Sequence, residues 1–131
     1  MQEQQLRPDA VTECDVVVMG GGPGGSTTAT LLAQRGHRVV LLEKNSHPRF
    51  HIGESLLPAN LPLFEKLGVA REIEAIGIDK WGAKFFSPWH DHTTQFEFGD
   101  ALDPSMPKAY EVRRSQFDEI LFRNAGRAED E

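Results

Sequence analysis

The first third of the chain alternates between short apolar runs and a segment of helical spacing. Residues 15–19 (Asp-Val-Val-Val-Met) and residues 38–42 (Arg-Val-Val-Leu-Leu) are rich in β-branched and aliphatic side chains, which is typical of parallel strands that are buried on both faces. Between them, small and aliphatic residues recur at helical offsets over residues 26–35, and Gly36 stands where a helix would end. The pattern predicts a strand, a helix and a second, parallel strand.

Beyond residue 43, helical and alternating patterns are mixed with loop residues. They predict helices over 58–67, 72–76 and 115–128, a hairpin of strands over 83–87 and 94–98, and a loop over 99–107. Residues 1–13 have no hydrophobic period and are expected to form a flexible tail. The folded part is therefore expected to comprise residues 14–131.

The predicted sheet is small for the helices that accompany it. The last helix runs to the end of the chain, whereas a nucleotide-binding sheet contains about six strands and needs a return strand after such a helix. Residues 14–131 are therefore expected to be the N-terminal part of a longer domain, incomplete at the C-terminus. A complete miniature domain is the alternative.

Charge and composition exclude several classes of protein. The 131 residues include 14 Lys and Arg against 20 Asp and Glu, which gives a net charge of −6 and argues against binding of nucleic acid. No apolar run approaches the roughly 18 residues that span a membrane. The single cysteine, Cys14, cannot form an internal disulfide, as is usual in a reducing compartment. We expect a cytoplasmic protein that binds neither nucleic acid nor membrane.

A glycine-rich loop lies between the first predicted strand and the helix. Residues 20–25 (Gly-Gly-Gly-Pro-Gly-Gly) fit G-x-G-x-x-G, and Glu43 follows the second strand, 23 residues after Gly20. This context is the fingerprint of a dinucleotide site, in which the helix N-terminus receives the pyrophosphate and the acid binds the ribose. Glu43 would repel a 2′-phosphate, so FAD or NAD is expected rather than NADP; an ordinary glycine turn is the alternative. The predicted contacts are Gly20, Gly22, Pro23, Gly24, Gly25, Ser26, Glu43 and Lys44.

Two further segments resemble those of a known family. Residues 47–58 (His-Pro-Arg-Phe-His-Ile-Gly-Glu-Ser-Leu-Leu-Pro) resemble the segment after the second strand in flavin-dependent halogenases and their relatives among FAD-dependent monooxygenases. Residues 110–118 (Tyr-Glu-Val-Arg-Arg-Ser-Gln-Phe-Asp) are similar to the family motif Val-x-Arg-x-x-Phe-Asp. The resemblance implies an α/β, Rossmann-like FAD-binding fold of the aromatic-hydroxylase type. The flavin contacts that it implies are Gly53, Glu54, Ser55 and Arg114, and Arg49 is a further candidate contact.

Some of these residues also have a purely structural interpretation. Arg114 stands four residues before Asp118, a spacing at which a helical ion pair contributes about 0.3–0.5 kcal/mol. Glu54 and Ser55 precede a predicted helix and could cap its N-terminus. Capping would not exclude contact with a flavin.

A lysine is the candidate catalytic residue. Residues 78–85 (Ile-Asp-Lys-Trp-Gly-Ala-Lys-Phe) resemble the halogenase segment that carries a lysine between flavin and substrate, and Lys80, 25 residues after Ser55, falls on the matching position, whereas Lys84 does not. In this family reduced FAD (FADH2) and O2 oxidise chloride or bromide to a hypohalous acid. A lysine can hydrogen-bond that acid as an ammonium, or be chlorinated as an amine, and so aim the halogen at an aromatic carbon. A solvated surface lysine is the alternative.

The resemblance implies a substrate and a partner as well. We expect an aromatic or pyrrole-like substrate, free or tethered to a carrier, and a separate flavin reductase that supplies FADH2. The alternatives are an FAD-dependent hydroxylase, which would not need Lys80, an oxidoreductase of the geranylgeranyl-reductase type, and a truncated nucleotide-binding module. The isolated chain is expected to be inactive. The family's tryptophan-rich signature is absent from the sequence.

A histidine pair flanks the turn of the predicted hairpin. His90-Asp91-His92 places two imidazoles at a spacing that can share one face of a strand. No third ligand is specified by spacing, and a zinc site normally needs at least three protein ligands. The segment is therefore interpreted as a polar turn, and no metal is expected.

Overall fold

The computed structural model describes residues 13–128, so the predicted tail lies outside the described residues except for Glu13. The helices and strands follow one another in an order that departs from simple strand–helix alternation after the second strand. They are β1 (Val16–Met19), α1 (Pro23–Ala33), β2 (Val39–Leu42), α2 (Leu61–Leu67), α3 (Ala70–Ile76), β3 (Ile78–Lys80), β4 (Gly82–Ser87), β5 (His92–Glu97), β6 (Ala109–Glu111) and α4 (Arg114–Arg127), with single 3-10 turns at Pro58–Asn60 and Phe98–Asp100.

The parallel pair of strands joined by a helix is confirmed. Strands β1 and β2 pair in parallel with Val16 opposite Val39, and α1 connects them. An ion pair secures the entry to both strands, because the Asp15 carboxylate accepts hydrogen bonds from the Arg38 backbone N–H at 2.8 Å and from its guanidinium at 2.9 Å. These bonds lower the pKa of Asp15 to about 2. The prediction placed the start of α1 at residue 26, but proline initiates helices readily, and α1 begins at Pro23.

In the described residues only one face of these two strands is covered. One face packs on helices, where Val39 contacts Ala29 of α1 and Ala125 of α4 in a small apolar cluster. The opposite face is exposed, and Met19 retains 85% of its accessible surface. The reason is that the helices packed on the pair all lie on one side of it in the described residues.

The predicted hairpin is confirmed, and a further strand pair accompanies it. Strands β4 and β5 are antiparallel, and Asp91 adopts a left-handed conformation (φ 44°) at their turn, a conformation that aspartate tolerates better than most residues. Strands β3 and β6 were not predicted. They pair antiparallel over three residues each, with Lys80 opposite Ala109.

The principal core lies between helices and β6 rather than between helices and a large sheet. From the sequence, the apolar faces of α2 and α4 are expected to need more sheet, but in the structure these faces cover one another and β6. The buried members of this core are Phe64, Leu67, Val69, Ile73, Tyr110, Val112, Phe117 and Leu121. Within residues 13–128, none of the helices is long and apolar enough to cross a membrane.

Candidate functional site

The glycine loop turns the chain sharply from β1 into α1. Gly20 has a left-handed backbone (φ 101°), and its N–H donates to the Leu42 carbonyl at 2.7 Å. Gly25 packs against this turn so closely that a Cβ on it would lie 1.8 Å from the Gly20 carbonyl oxygen. The glycine at this position is therefore required for the helix to approach the strand.

The N-terminus of α1 is open for an anion. Its N-cap is Gly22, which provides no side-chain hydrogen bond, and the first turn contains no acidic residue. The first N–H groups of a helix lack intrahelical partners and carry a partial positive charge. Ser26, a predicted ligand contact, is fully buried, and its hydroxyl donates to the Gly21 carbonyl at 3.1 Å. The Ser26 side chain thus stabilises the glycine loop through this hydrogen bond.

Glu43 closes the loop from the end of β2. Its carboxylate accepts hydrogen bonds from the Gly21 N–H at 2.7 Å and from the Asn45 N–H at 2.8 Å. The Asn45 N–H, followed by that of Gly21 and by the Arg49 guanidinium, holds the pKa of Glu43 below its ordinary value, although burial opposes this. Each carboxylate oxygen has two acceptor sites, so Glu43 retains capacity for ribose hydroxyl groups.

A cavity of about 760 Å³ opens beside this loop, and eight of the predicted contacts line it. The guanidinium of Arg49 extends into its wall, with Nη2 3.5 Å from the Glu43 carboxylate. Arg49 Nε is buried without a hydrogen-bond partner. The lining residues are Met19, Gly20, Gly22, Pro23, Gly24, Gly25, Leu42, Glu43, Lys44, Asn45 and Arg49.

The residues at this cavity fit the pyrophosphate of a dinucleotide. A Cβ on Gly24 would meet no atom within 4 Å, and one on Gly22 would approach only the Arg49 guanidinium, so the glycines leave space where anionic oxygens need it. The unpaired Arg49 N–H and the open helix N-terminus supply donors for such oxygens. The described residues therefore meet the chemical requirements of FAD binding at this end of the molecule.

His47 is a residue of this region that the sequence did not single out. Its ring stacks on Phe122 of α4 with centroids 4.6 Å apart, and the Phe122 ring occupies the space that a Cβ on Gly21 would need. The contact between His47 and Phe122 depends on tertiary packing, since residues 47 and 122 are distant in the chain. No local pattern marked the contact.

A second cluster surrounds Gly53, away from the lining of this cavity. Gly53 has a left-handed backbone (φ 92°) beside Arg114, whose Nη1 donates to the Ile52 carbonyl at 2.7 Å. Arg114 also makes a bidentate pair with Asp118, with distances of 2.7 and 3.1 Å. Asp118 is completely buried, so loss of its partner would strand a buried charge at a cost of about 3–5 kcal/mol. The ion pair is thus far more important than a surface pair, and two of the five Arg114 N–H groups remain free of these bonds.

The Gly53–Ser55 loop is attached to β6. The Glu54 carbonyl accepts from the Val112 N–H, and the Tyr110 carbonyl accepts from the Leu56 N–H, both at 2.9 Å. The alternative in which Glu54 or Ser55 caps the next helix is wrong, because its N-cap is Leu57. Glu54 instead faces a second cavity, of about 500 Å³, whose lining includes Glu111.

Lys80 reaches from β3 to this loop and is not a freely solvated lysine. Its side chain is 16% exposed, and Nζ hydrogen-bonds to Ser55 Oγ and to the Leu56 carbonyl, the latter at 3.4 Å. Nζ also lies 3.8 Å from Glu111 Oε1 and 5.4 Å from the centroid of the Phe98 ring. Lys80 and Ser55, which lie 25 positions apart in the sequence, are thus in contact. By contrast, Lys84 is exposed on the hairpin.

The contacts of Lys80 with Glu111 and Phe98 were missed by the sequence interpretation. They depend on the pairing of β3 with β6 and on the 3-10 turn after β5, both too short for a periodic signal.

Within residues 13–128, no group of three or more His, Cys, Asp or Glu side chains is arranged to hold a metal ion. The His90 ring instead hydrogen-bonds to Ser87 at 3.0 Å across the hairpin turn.

The sequence model of the family described as FAD binding domain matches residues 13–129. Among curated proteins, the chain is similar to the tryptophan 2-halogenase of Chondromyces crocatus, with 40% identity over 118 residues that cover 84% of this chain and 20% of that protein. It is also similar to the 1H-pyrrole-2-carbonyl-(peptidyl-carrier protein) chlorinase of Pseudomonas fluorescens, with 33% identity over 132 residues that cover 86% of this chain and 29% of that protein.

Solved structures show the same similarity in three dimensions. The myxobacterial chondrochloren halogenase CndH matches with a TM-score of 0.77 and 41% identity, over 88% of this chain and 27% of that one. A flavoprotein/dehydrogenase of Cytophaga hutchinsonii matches with a TM-score of 0.79 and 34% identity, over 89% of this chain and 29% of that one. The chain therefore spans between a fifth and a third of the length of these proteins.

Proposed function

The chain belongs to the FAD-binding domain family, and on that premise we propose that it forms the FAD-binding part of a flavin-dependent halogenase. The observation that carries the proposal is the placement of Lys80, which is half-buried against Ser55 of the Gly53–Ser55 loop. A hydroxylase needs no lysine at this position. The similarity to a tryptophan 2-halogenase and to a halogenase of known structure supports the same function.

The glycine loop and Glu43 hold the nucleotide end of FAD in this proposal. The pyrophosphate lies over Gly22, Pro23, Gly24 and Gly25, where the N-terminus of α1 offers unpaired N–H groups. Arg49, which lines the same cavity, adds a charged donor. Glu43 accepts from the ribose hydroxyl groups, and Lys44 lines the same rim.

The flavin end is assigned to the second cluster. Helix α4 joins the two clusters, because Arg114 begins the helix and Phe122 packs on the glycine loop eight residues later, about 12 Å along the helix axis. FAD is an extended molecule and can reach both. Gly53, Glu54, Ser55 and Arg114 are the proposed flavin contacts.

Lys80 acts on the halogen. The bound flavin, in its reduced form and with O2, supplies the oxidation of chloride or bromide to a hypohalous acid. The three N–H groups of an ammonium allow Lys80 to keep its contacts with Ser55 and Leu56 and still donate to that acid. The hydroxyl and carbonyl thus orient Nζ while it holds the oxidant.

The substrate and the partner are proposed at the level of chemical class. An electron-rich aromatic or pyrrole-like ring accepts the halogen, since the similar proteins are named for tryptophan and for a pyrrole attached to a peptidyl-carrier protein. A separate flavin reductase supplies FADH2 in this proposal, as the resemblance to flavin-dependent halogenases implies. An FAD-dependent dehydrogenase or hydroxylase is the second candidate, favoured by the similarity to the Cytophaga flavoprotein.

The product made by the intact wild-type protein separates these functions. Reduced FAD, O2 and either chloride or bromide are supplied with a panel of aromatic and pyrrole acceptors, and the products are identified by mass spectrometry. We expect halogenated products that depend on the halide. Formation of hydroxylated product alone would refute the halogenase proposal, but it would not contradict the proposal that the chain binds FAD.

Replacement of Glu43 tests the nucleotide site. Glu43→Ala removes an acceptor for the ribose and the brace on the Gly21 N–H, so we expect FAD binding to weaken by about 1.5–3 kcal/mol, the value of a hydrogen bond to a charged group. A fluorescence titration with FAD measures this change. Glu65→Ala, on the exposed surface of α2, is the matched control. Unchanged FAD affinity in Glu43→Ala would show that the ribose is bound elsewhere.

A further inference from the structure

We propose that Glu111 is a positioning residue for Lys80, and that its carboxylate keeps Nζ directed at the oxidised halide. This inference rests on the proposed halogenase function and adds a residue to its machinery. Glu111 Oε1 lies 3.8 Å from Lys80 Nζ. Neither the halogenase motifs nor the spacing along the chain singled out Glu111.

Strand pairing brings Glu111 to this position. In the β3–β6 ladder Ile78 stands opposite Glu111 and Lys80 opposite Ala109, so the two charged residues are diagonal neighbours across the strands. An isolated bridge also pairs Ser55 with Glu111. Glu111 therefore lies between the strand that carries Lys80 and the loop that Lys80 contacts.

The contacts of Nζ leave one of its N–H donors without a hydrogen bond. An ammonium has three such donors; Ser55 Oγ and the Leu56 carbonyl accept from two of them, and the Glu111 carboxylate lies 3.8 Å away, at the distance of an ion pair and beyond that of a hydrogen bond. Glu111 is the charged member of this set. The nearby acid Asp79 does not replace it, since Asp79 is bound by Lys108 at 3.0 Å.

A lysine needs such an anchor because its side chain is long and flexible. Holding one extended lysine in a single conformation costs side-chain entropy. The backbone carbonyl and the hydroxyl are neutral acceptors, whereas the Glu111 carboxylate attracts the ammonium through its charge. Because Glu111 attracts Nζ from 3.8 Å without accepting a hydrogen bond from it, the third N–H of Nζ stays available to an incoming hypohalous acid while the ion pair is kept.

The first test measures the anchor without any halogenation. The intact protein is acetylated with a trace of acetic anhydride, and the modification of Lys80 relative to that of exposed Lys84 is read by mass spectrometry. In Glu111→Gln, which keeps the shape and loses the charge, we expect this ratio to rise about fivefold, as for loss of a partly exposed ion pair. Glu111→Asp should restore part of the protection, and Glu65→Gln should match wild type. An unchanged ratio in Glu111→Gln would overturn the proposal.

The second test measures the use of the oxidant. Flavin oxidation by O2 and halogenated product are quantified together, and a diffusible chlorination probe reports hypohalous acid that escapes. In Glu111→Gln we expect flavin oxidation to continue while product per flavin falls and probe halogenation rises. Equal coupling in wild type and Glu111→Gln would overturn the positioning role. Absence of any halogenation by wild type would instead refute the halogenase proposal, whereas the acetylation ratio would still report on the Glu111–Lys80 contact.

Discussion

Lys80→Ala is expected to lower halogenated product by about 100-fold or more, the scale of removing a group that transfers or holds a proton at the reacting atom. The variant loses the nitrogen that contacts Ser55, Leu56 and Glu111 together. FAD binding should persist, because the glycine loop and Glu43 lie in the other cluster. Product by mass spectrometry and FAD affinity by titration measure the two effects separately.

Two further lysine variants identify the reason for that loss. Lys80→Arg should also fail, since the planar guanidinium differs in shape from an ammonium and cannot become a chloramine. Lys84→Ala should behave as wild type, because Lys84 is exposed on the hairpin. Halogenation at the wild-type rate by Lys80→Ala would show that another residue delivers the halogen.

Gly25→Ala is expected to have the largest effect on the fold. Its Cβ would lie 1.8 Å from the Gly20 carbonyl oxygen and 3.4 Å from a methyl group of Val18, so α1 would have to move away from β1. The backbone of Gly20 cannot move aside as a flexible side chain can. We therefore expect the free energy of unfolding to fall by about 3 kcal/mol or more. Chemical denaturation followed by circular dichroism measures the loss.

Gly24→Ala is the matched variant on the same loop. A Cβ on Gly24 meets no atom within 4 Å, and alanine is a better helix former than glycine, so the free energy of unfolding should not fall. The methyl group would point into the cavity that Gly24 lines, and FAD affinity should be reduced. Equal stabilities of Gly25→Ala and wild type would show that the helix and strand are not held at the distance described.

Features that depend on neighbouring residues were predicted well from the sequence. The strands, the glycine loop and Glu43 form one continuous segment, in which backbone conformation and spacing almost determine the geometry. The hairpin and α4 also followed from local alternation and helical periodicity. The boundaries shifted by a few residues, as for α1, which begins at Pro23 rather than at residue 26.

Burial was predicted less well, because it depends on what packs from elsewhere in the chain. Ser26 stands at a position of the motif where a ligand contact is expected, but its side chain is buried under the glycine loop. The Arg114–Asp118 pair was foreseen from its spacing, whereas its importance follows from the complete burial of Asp118. The exposed face of β1 and β2 could not be recognised from their apolar residues, since the same residues occur in strands covered on both sides.

The sequence by itself determined the dinucleotide fingerprint and the parallel strand pair, because local backbone preferences and short motifs encode them, and its resemblance to the halogenases indicated Lys80. Only the tertiary structure decided what surrounds that lysine. Strands β3 and β6 are three residues long and about 30 residues apart in the chain. Segments this short show no hydrophobic periodicity from which their pairing could be predicted. That pairing places Glu111 beside Lys80, and long-range backbone hydrogen bonds, which single-sequence patterns do not encode, hold it there.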